Sequence, residues 1–225
     1  MISMSESHSA HITVARLYTE RSFNATGGDL RRAVTALFPD EPLLHHHSRN
    51  GRADYSFSQI RYLVIDGIPH LAGLKQGRSV VSEIAHKLTC LTVGQHHYNV
   101  MGCDFIEDGT TIGITKDLLF YKSGSPWIAL NKENLIRFNI LKKKKEQRAL
   151  LERILVGNFI SLCKGLHLGI SARIQARITT FRYRQIRTPV PLMGFSIQFA
   201  GNFLVPEFLG LGKMASKGFG LMKIV

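Results

Sequence analysis

The sequence predicts an α+β chain built as two tandem ferredoxin-like domains, each running β-α-β-β-α-β. Two observations carry this reading. Strand-like and helix-like periodicities follow one another in that order along the first half, and the second half repeats the plan with longer parts, although no residue-level repeat is visible. The boundary is placed near residue 110, giving domains at 1–110 and 111–225.

The elements are read in order. His11 to Tyr18 has the branched and aromatic content of a first strand, and Asn24 to Gly28 is turn-like. Leu30, Ala33, Val34 and Leu37 then recur at helical spacing, with Asp29 as the expected N-cap and Pro39 as the stop. Tyr55 to Ile65 reads as a strand, and Asp66-Gly67 is a hairpin turn leading into Ile68 to Leu74. Val80, Val81, Ile84, Ala85 and Leu88 share one helical face; Cys90 to Val100 follows as a strand, with a turn expected over Gly102 to Asp108. The order matches the arrangement that RNA-recognition modules also use.

In the second half, Trp127 to Leu130 reads as a strand end before one long helical stretch. There Leu150, Leu151, Ile154, Leu155, Phe159 and Leu162 keep three-and-four spacing. Ile174, Ala176 and Ile178 alternate with Arg173, Gln175 and Arg177, but the apolar phase slips at Thr179-Thr180 onto Phe181 and Tyr183, which predicts a bulge or kink. Phe195, Ile197 and Phe199 complete a hairpin, and Leu221 to Val225 leaves room for one short last strand.

Composition narrows the function classes. A length of 225 residues with 44% apolar and 9% aromatic content suits a chain that buries proper cores. No apolar run approaches the roughly 20 residues needed to cross a bilayer, and the polar first ten residues lack the apolar centre of a signal peptide. A cytoplasmic protein without a membrane role is expected. Cys90, Cys103 and Cys163 are odd in number and hold no C-x-x-C pair, so a disulfide framework and structural zinc both read poorly.

Charge is distributed unevenly. Residues 1–110 hold 10 Lys plus Arg against 11 Asp plus Glu, a net of −1, so the formal +13 of the whole chain resides in the second half, which carries +14. Nine of the ten histidines lie before residue 100. A basic half beside a neutral, histidine-rich half suggests polyanion binding in one part and titratable chemistry in the other.

The segment Gly210 to Gly220 packs four glycines and two lysines into eleven residues. It lacks the Gly-Lys-Ser/Thr offset of a P-loop, and the five residues after it leave no space for the helix of a dinucleotide fingerprint, so no nucleotide cofactor is expected. Bare N–H groups and lysine charges suit the approach of a phosphate chain. Gly210, Gly212, Gly218 and Gly220 would shape that loop, with Lys213 and Lys217 near the phosphates. Arg173, Arg177, Arg182, Arg184 and Arg187 are further RNA-binding candidates, because strand alternation can align several on one face. Lys142 to Lys145 reads as a solvated charge run that would also attract nearby phosphates.

The run Leu209 to Gly220 resembles the C-terminal glycine-rich loop of the CRISPR-associated endoribonucleases that cut repeat RNA, the sixth Cas family. Leu30 to Phe38, Leu44-His45-His46-His47, Ser58 to Tyr62 ahead of the Val64 to Gly67 hairpin, and Pro126 to Asn131 are similar to the B-like branch of that family. The resemblance covers nearly all of the chain after about residue 10. It implies metal-independent cleavage of a pre-CRISPR transcript within its repeats by the ribose 2′-hydroxyl, leaving a 2′,3′-cyclic phosphate and a 5′-hydroxyl, with no cofactor.

That branch carries two histidines one residue apart before its first hairpin, and His45 and His47 match the placement. His46 fills the middle position, so which two of the three act stays open; in an extended segment 45 and 47 point the same way, which favours the outer pair. The rival is a metal site, since His-x-His is a chelating spacing and His96-His97 could add ligands, but no carboxylate motif accompanies them. The implied partner is CRISPR repeat RNA or crRNA. Other Cas proteins of an effector complex are compatible partners, and so is a monomer or a homodimer. A subunit that holds the guide without cutting it is the competing function.

Overall fold

The computed structural model describes residues 4–45, 57–186 and 191–225. The chain divides into two compact units, one of residues 9–110 with 216–218, the other of residues 1–8, 111–215 and 219–225. Both are ferredoxin-like. Among the described residues no helix is long and apolar enough to cross a membrane.

In the N-terminal unit the strand order is β2-β3-β1-β5, from β1 (Met4–Thr19), β2 (Ile60–Ile65), β3 (Ile68–Leu74) and the first part of β5 (His96–Ser123). The β2–β3 hairpin closes as expected, with Ile65 opposite Ile68 and both turn residues at positive φ, Asp66 at 51° and Gly67 at 76°. Helices α1 (Gly27–Leu37) and α3 (Gly77–Lys87) cover one sheet face. Leu30, Ala33 and Val34 of α1, and Val81, Ile84 and Ala85 of α3, bury against Ala15, Leu17, Ile60, Tyr62 and Leu71. A short helix, α2 (Pro42–His45), follows α1.

Three expectations for this unit are corrected, the first being Cys90 to Val100, read as one strand but folded as a hairpin in which Val93 lies opposite His96. The cap of α1 is Thr26, not Asp29: the Thr26 hydroxyl accepts from Asp29 N (3.2 Å) while the Asp29 carboxylate accepts from Thr26 N (2.9 Å), a reciprocal capping box with the acid at the third helical position. Nor does the chain turn over 102–108. After β4 (Cys90–Val93) and its hairpin, β5 runs unbroken for 28 residues. Asp104, read as a turn residue, instead accepts from Tyr18 (2.8 Å) and pairs with Arg16 (3.5 Å) across to β1.

In the C-terminal unit the end of β5 lies between β7 (Leu192–Leu204) and β8 (Met222–Ile224), with β6 (Ala176–Ile186) beyond β7, giving β8-β5-β7-β6. All pairs are antiparallel. The register of β6 on β7 slips between Ile178 and Thr180, where the phase change in the sequence predicted a bulge. One sheet face is packed by aromatic contacts from two helices: Phe138 of α4 (Lys132–Ile140) meets Phe195 and Tyr183, and Phe159 of α5 (Lys144–Leu166) meets Phe199 and Phe203.

The long helical stretch is therefore two helices. The Gln147 amide donates to the carbonyls of Phe138 (3.3 Å) and Leu141 (3.0 Å), occupying acceptors that α4 leaves open at its end. Trp127 to Leu130 forms two isolated bridges, Trp127 to Phe195 and Ile128 to Lys213, rather than a strand end.

Candidate active site

In the N-terminal unit, α1 and the segment 216–218 bring together Arg31, Arg32 and Lys217, and Arg31 in turn reaches the backbone of His45 at the end of α2. The close approach depends on Gly27, the first residue of α1. A Cβ there would lie 2.8 Å from the Lys217 carbonyl carbon and closer still to the carbonyl oxygens of Lys217 and Tyr62. The Lys217 side chain then runs past Gly28, with its Cδ 3.9 Å from where a Cβ would stand. Arg31 lies one turn further along α1 and donates to the His45 carbonyl at 3.3 Å.

His45 is the last residue of α2, so it is helical rather than part of an extended run. It is half-buried, and its Nε2 lies 3.2 Å from the Phe38 carbonyl oxygen. A carbonyl only accepts, so Nε2 is the donor in this contact, and Nδ1 is the ring nitrogen left to take up a proton. His46 and His47 lie outside the described residues, as does Arg187.

The electrostatics of the cluster are cationic. Burial, then the charges of Arg31 and Arg32, hold the Lys217 ammonium below its ordinary pKa. Arg32 is paired with Asp29; Arg31 has only carbonyl company among the bonds described. Such a group of like charges is costly unless an anion completes it. Tyr62 lies beneath, with a buried hydroxyl that has no hydrogen-bond partner among the described residues and whose pKa burial raises. It is a packed strand tyrosine, as its position suggests. Chemically the cluster offers one proton acceptor on a histidine and a set of cations for a phosphoryl group.

Sequence reasoning missed Arg31 and Arg32. Their only trace is the Asp29-Leu-Arg-Arg32 run at the start of a helix, which reads as an ordinary solvated face.

The other candidates lie in the C-terminal unit, apart from Gly218, which belongs to the N-terminal one at φ 83°. Lys213 is exposed, and its backbone N–H donates to Ile128 O at 3.1 Å. Gly210 and Gly220 are buried, and Gly212 is tight against Trp127: Cβ atoms at these positions would meet Phe219 O, Leu211 O and Trp127 Nε1. All three have positive φ, so they fold the loop onto its own chain and onto Trp127 rather than presenting bare backbone outward. Arg173 precedes β6, whereas Arg177, Arg182 and Arg184 lie on it; all four are exposed.

Comparison with known proteins decides the family. The family model of the Cas6b N-terminal domain matches residues 9–108, and that of the Cas6b C-terminal domain matches residues 113–225. The chain belongs to the Cas6b family. A solved Cas6b structure superposes with a TM-score of 0.85 at 24% identity, covering 98% of this chain and all of the other. A second, a CRISPR RNA processing endoribonuclease Cas6b, gives 0.73 at 21% identity over 96% of this chain and all of its own. At these identities the likeness shows a shared Cas6b fold. An uncharacterised protein of Methanocaldococcus jannaschii, MJ0978, is 37% identical over 111 residues, 48% of this Cas6b-family chain and 74% of the relative.

Proposed function

We propose that this Cas6b-family protein cuts CRISPR RNA within its repeats without a metal ion, His45 and His47 acting as base and acid. Family membership supports CRISPR RNA processing, and a relative of the same fold is an endoribonuclease of that kind. The observation that carries the reading on this chain is the seating of Lys217, from the glycine-rich segment, against Gly27 and Gly28 of the helix whose Arg31 holds the His45 carbonyl.

In this mechanism the 2′-oxygen attacks the adjacent phosphorus as its proton passes to Nδ1 of His45. The P–O5′ bond breaks, and the second histidine protonates the leaving O5′. The products are a 2′,3′-cyclic phosphate and a 5′-hydroxyl. Lys217 and Arg31 stabilise the charge that builds on the phosphoryl oxygens. The N-terminal unit thus supplies the chemistry, while Lys213 and the β6 arginines of the basic C-terminal unit hold the RNA. The working site of the protein is the cytoplasm, where the transcript is.

The test is the double substitution His45→Ala with His47→Ala, assayed for cleavage and for binding of repeat RNA. Cleavage falls by about 10²-fold or more for each proton-transfer role removed, while affinity is largely kept. Full activity in the double variant would overturn the assignment. Tight repeat-selective binding by wild-type protein that never cuts would favour a guide-holding subunit instead.

A further inference from the structure

We propose that the open face of the C-terminal unit's sheet binds single-stranded RNA, with Phe120 as a base-stacking platform beside a row of arginines on β6. This rests on the reading of the chain as an RNA-binding protein and extends it to residues of the C-terminal unit that are no part of the histidine cluster.

The register defines the face. Tyr121 and Phe199 stack on each other on the helix-covered side, so their neighbours in sequence, Phe120, Lys122 and Gln198, point the other way. Phe120 is 56% exposed, unlike the fully buried ring next to it. Across β7, Phe120 is opposite Ala200, and Ala200 is opposite Arg177. Two strand spacings, about 9.5 Å, therefore separate the Phe120 ring's base from that of Arg177.

The bulge aligns the arginines. Arg177 and Arg182 are five residues apart, an odd spacing that would put them on opposite faces of a regular strand. Their partners on β7 are Ala200 and Ser196, an even spacing, because the slip at Ile178/Thr180 absorbs one residue. Arg177, Arg182 and Arg184 consequently share one face, all exposed. Between them and Phe120, β7 exposes the uncharged Ser196 and Gln198, with the small Ala200 buried in the floor; Gly194 is covered by Ile186 and Pro126. None of the residues that the register puts on this face of β6, β7 and residues 120–122 is acidic.

The chemistry selects the occupant. A cationic row complements a polyanion, and an exposed phenyl ring offers a π-face that any unpaired base can use. Bases of an A-form duplex are already stacked on each other, and its deep major groove keeps side chains out, so a single strand is the form of RNA that can use both features.

The experiment measures fluorescence anisotropy of a labelled oligouridylate of about 12 nucleotides, a length within the usual range for such platforms. A closed RNA hairpin without unpaired flanks is measured in parallel. Phe120→Ala is expected to weaken oligouridylate binding about tenfold, Phe120→Trp to retain it, and hairpin affinity to stay at the wild-type value. Lys122→Ala is expected to lower the slope of log K against log salt by about 0.7 instead. Phe120 is exposed, so the alanine variant should fold, and an unchanged melting temperature verifies that. Wild-type oligouridylate binding by Phe120→Ala, or equal loss on both RNAs, would overturn the proposal. The readout needs no cleavage: protein that binds single strands through Phe120 yet leaves repeats intact would refute the nuclease reading alone.

Discussion

Gly27→Ala tests whether Lys217 is positioned by backbone contact. The added methyl would lie 2.8 Å from the Lys217 carbonyl carbon, against an ordinary separation of about 3.5–4.0 Å between carbons, so something must move by roughly 1 Å. Tyr62, the other obstacle, is fixed in β2 opposite Leu71 of β3, which leaves the Lys217 segment to retreat. Overpacking of this kind costs about 1–3 kcal/mol, or roughly 2–12 °C in melting temperature for a chain of this size. A displacement near 1 Å of the cation proposed to stabilise the phosphoryl oxygens is also enough to slow cleavage about 100-fold. The neighbouring Gly28→Ala is the control. Its Cβ would have Thr26 Oγ1 at 3.5 Å and Lys217 Cδ at 3.9 Å, ordinary contacts, so it should melt at or slightly above the wild-type temperature. Thermal melts and single-turnover cleavage of the two variants decide the matter. A Gly27→Ala protein with wild-type stability and rate, or an equal fall in Gly28→Ala, would refute the reasoning.

Two further outcomes follow from the titrating groups. His70 is 4% exposed and its Nδ1 donates to Ile68 O at 2.8 Å; burial foremost holds its pKa below the ordinary 6.5. The unfolded chain therefore binds more protons in that window, so the stability involved is present above about pH 6.5 and is lost as pH falls. Urea midpoints of His70→Gln should depend less on pH between about 7.5 and 5 than those of wild type, and parallel curves would contradict this. For Lys217, Arg31→Gln should raise the ammonium pKa towards 10.5, read by NMR of ¹³C-methylated lysine; burial remains, so the recovery is partial. A pKa that stays put or falls would show that Arg31 does not act on Lys217.

Much of the fold was legible because the signals were local. The Asp66-Gly67 hairpin needs two positive-φ residues and has them, and the arginine and apolar phases on either side of Thr179-Thr180 could be reconciled only by an extra residue. Thr26 was legible too, since Thr-x-x-Asp is a capping box, but Asp29 alone resembled a cap. The unbroken β5 was not legible. Gly102 and Asp104 read as turn residues, and only the partners on β1 show that Asp104 belongs to an exposed cross-strand network. The break between α4 and α5 is stabilised by a glutamine amide six and nine residues from its acceptors, a contact that no periodicity encodes.

The site divides in the same way. Lys217 was visible as a lysine among glycines, but its position against α1 arises from a fold contact at Gly27, far away in sequence. Arg31 carries no motif and becomes part of the site only through Lys217 and the His45 carbonyl. Gly210, Gly212 and Gly220 look alike in sequence to Gly218, yet Gly210 and Gly220 serve the loop's own packing and Gly212 its seat against Trp127.

The most direct test of the central claim uses end-labelled repeat RNA in excess EDTA, beside the same RNA with one 2′-deoxyribose at the cleavage junction. Cleavage of the all-ribose strand at one site, with the deoxy strand left intact and a cyclic phosphate on the upstream product, is the predicted result. Cutting of the deoxy strand, or activity that disappears with the chelator, would contradict it.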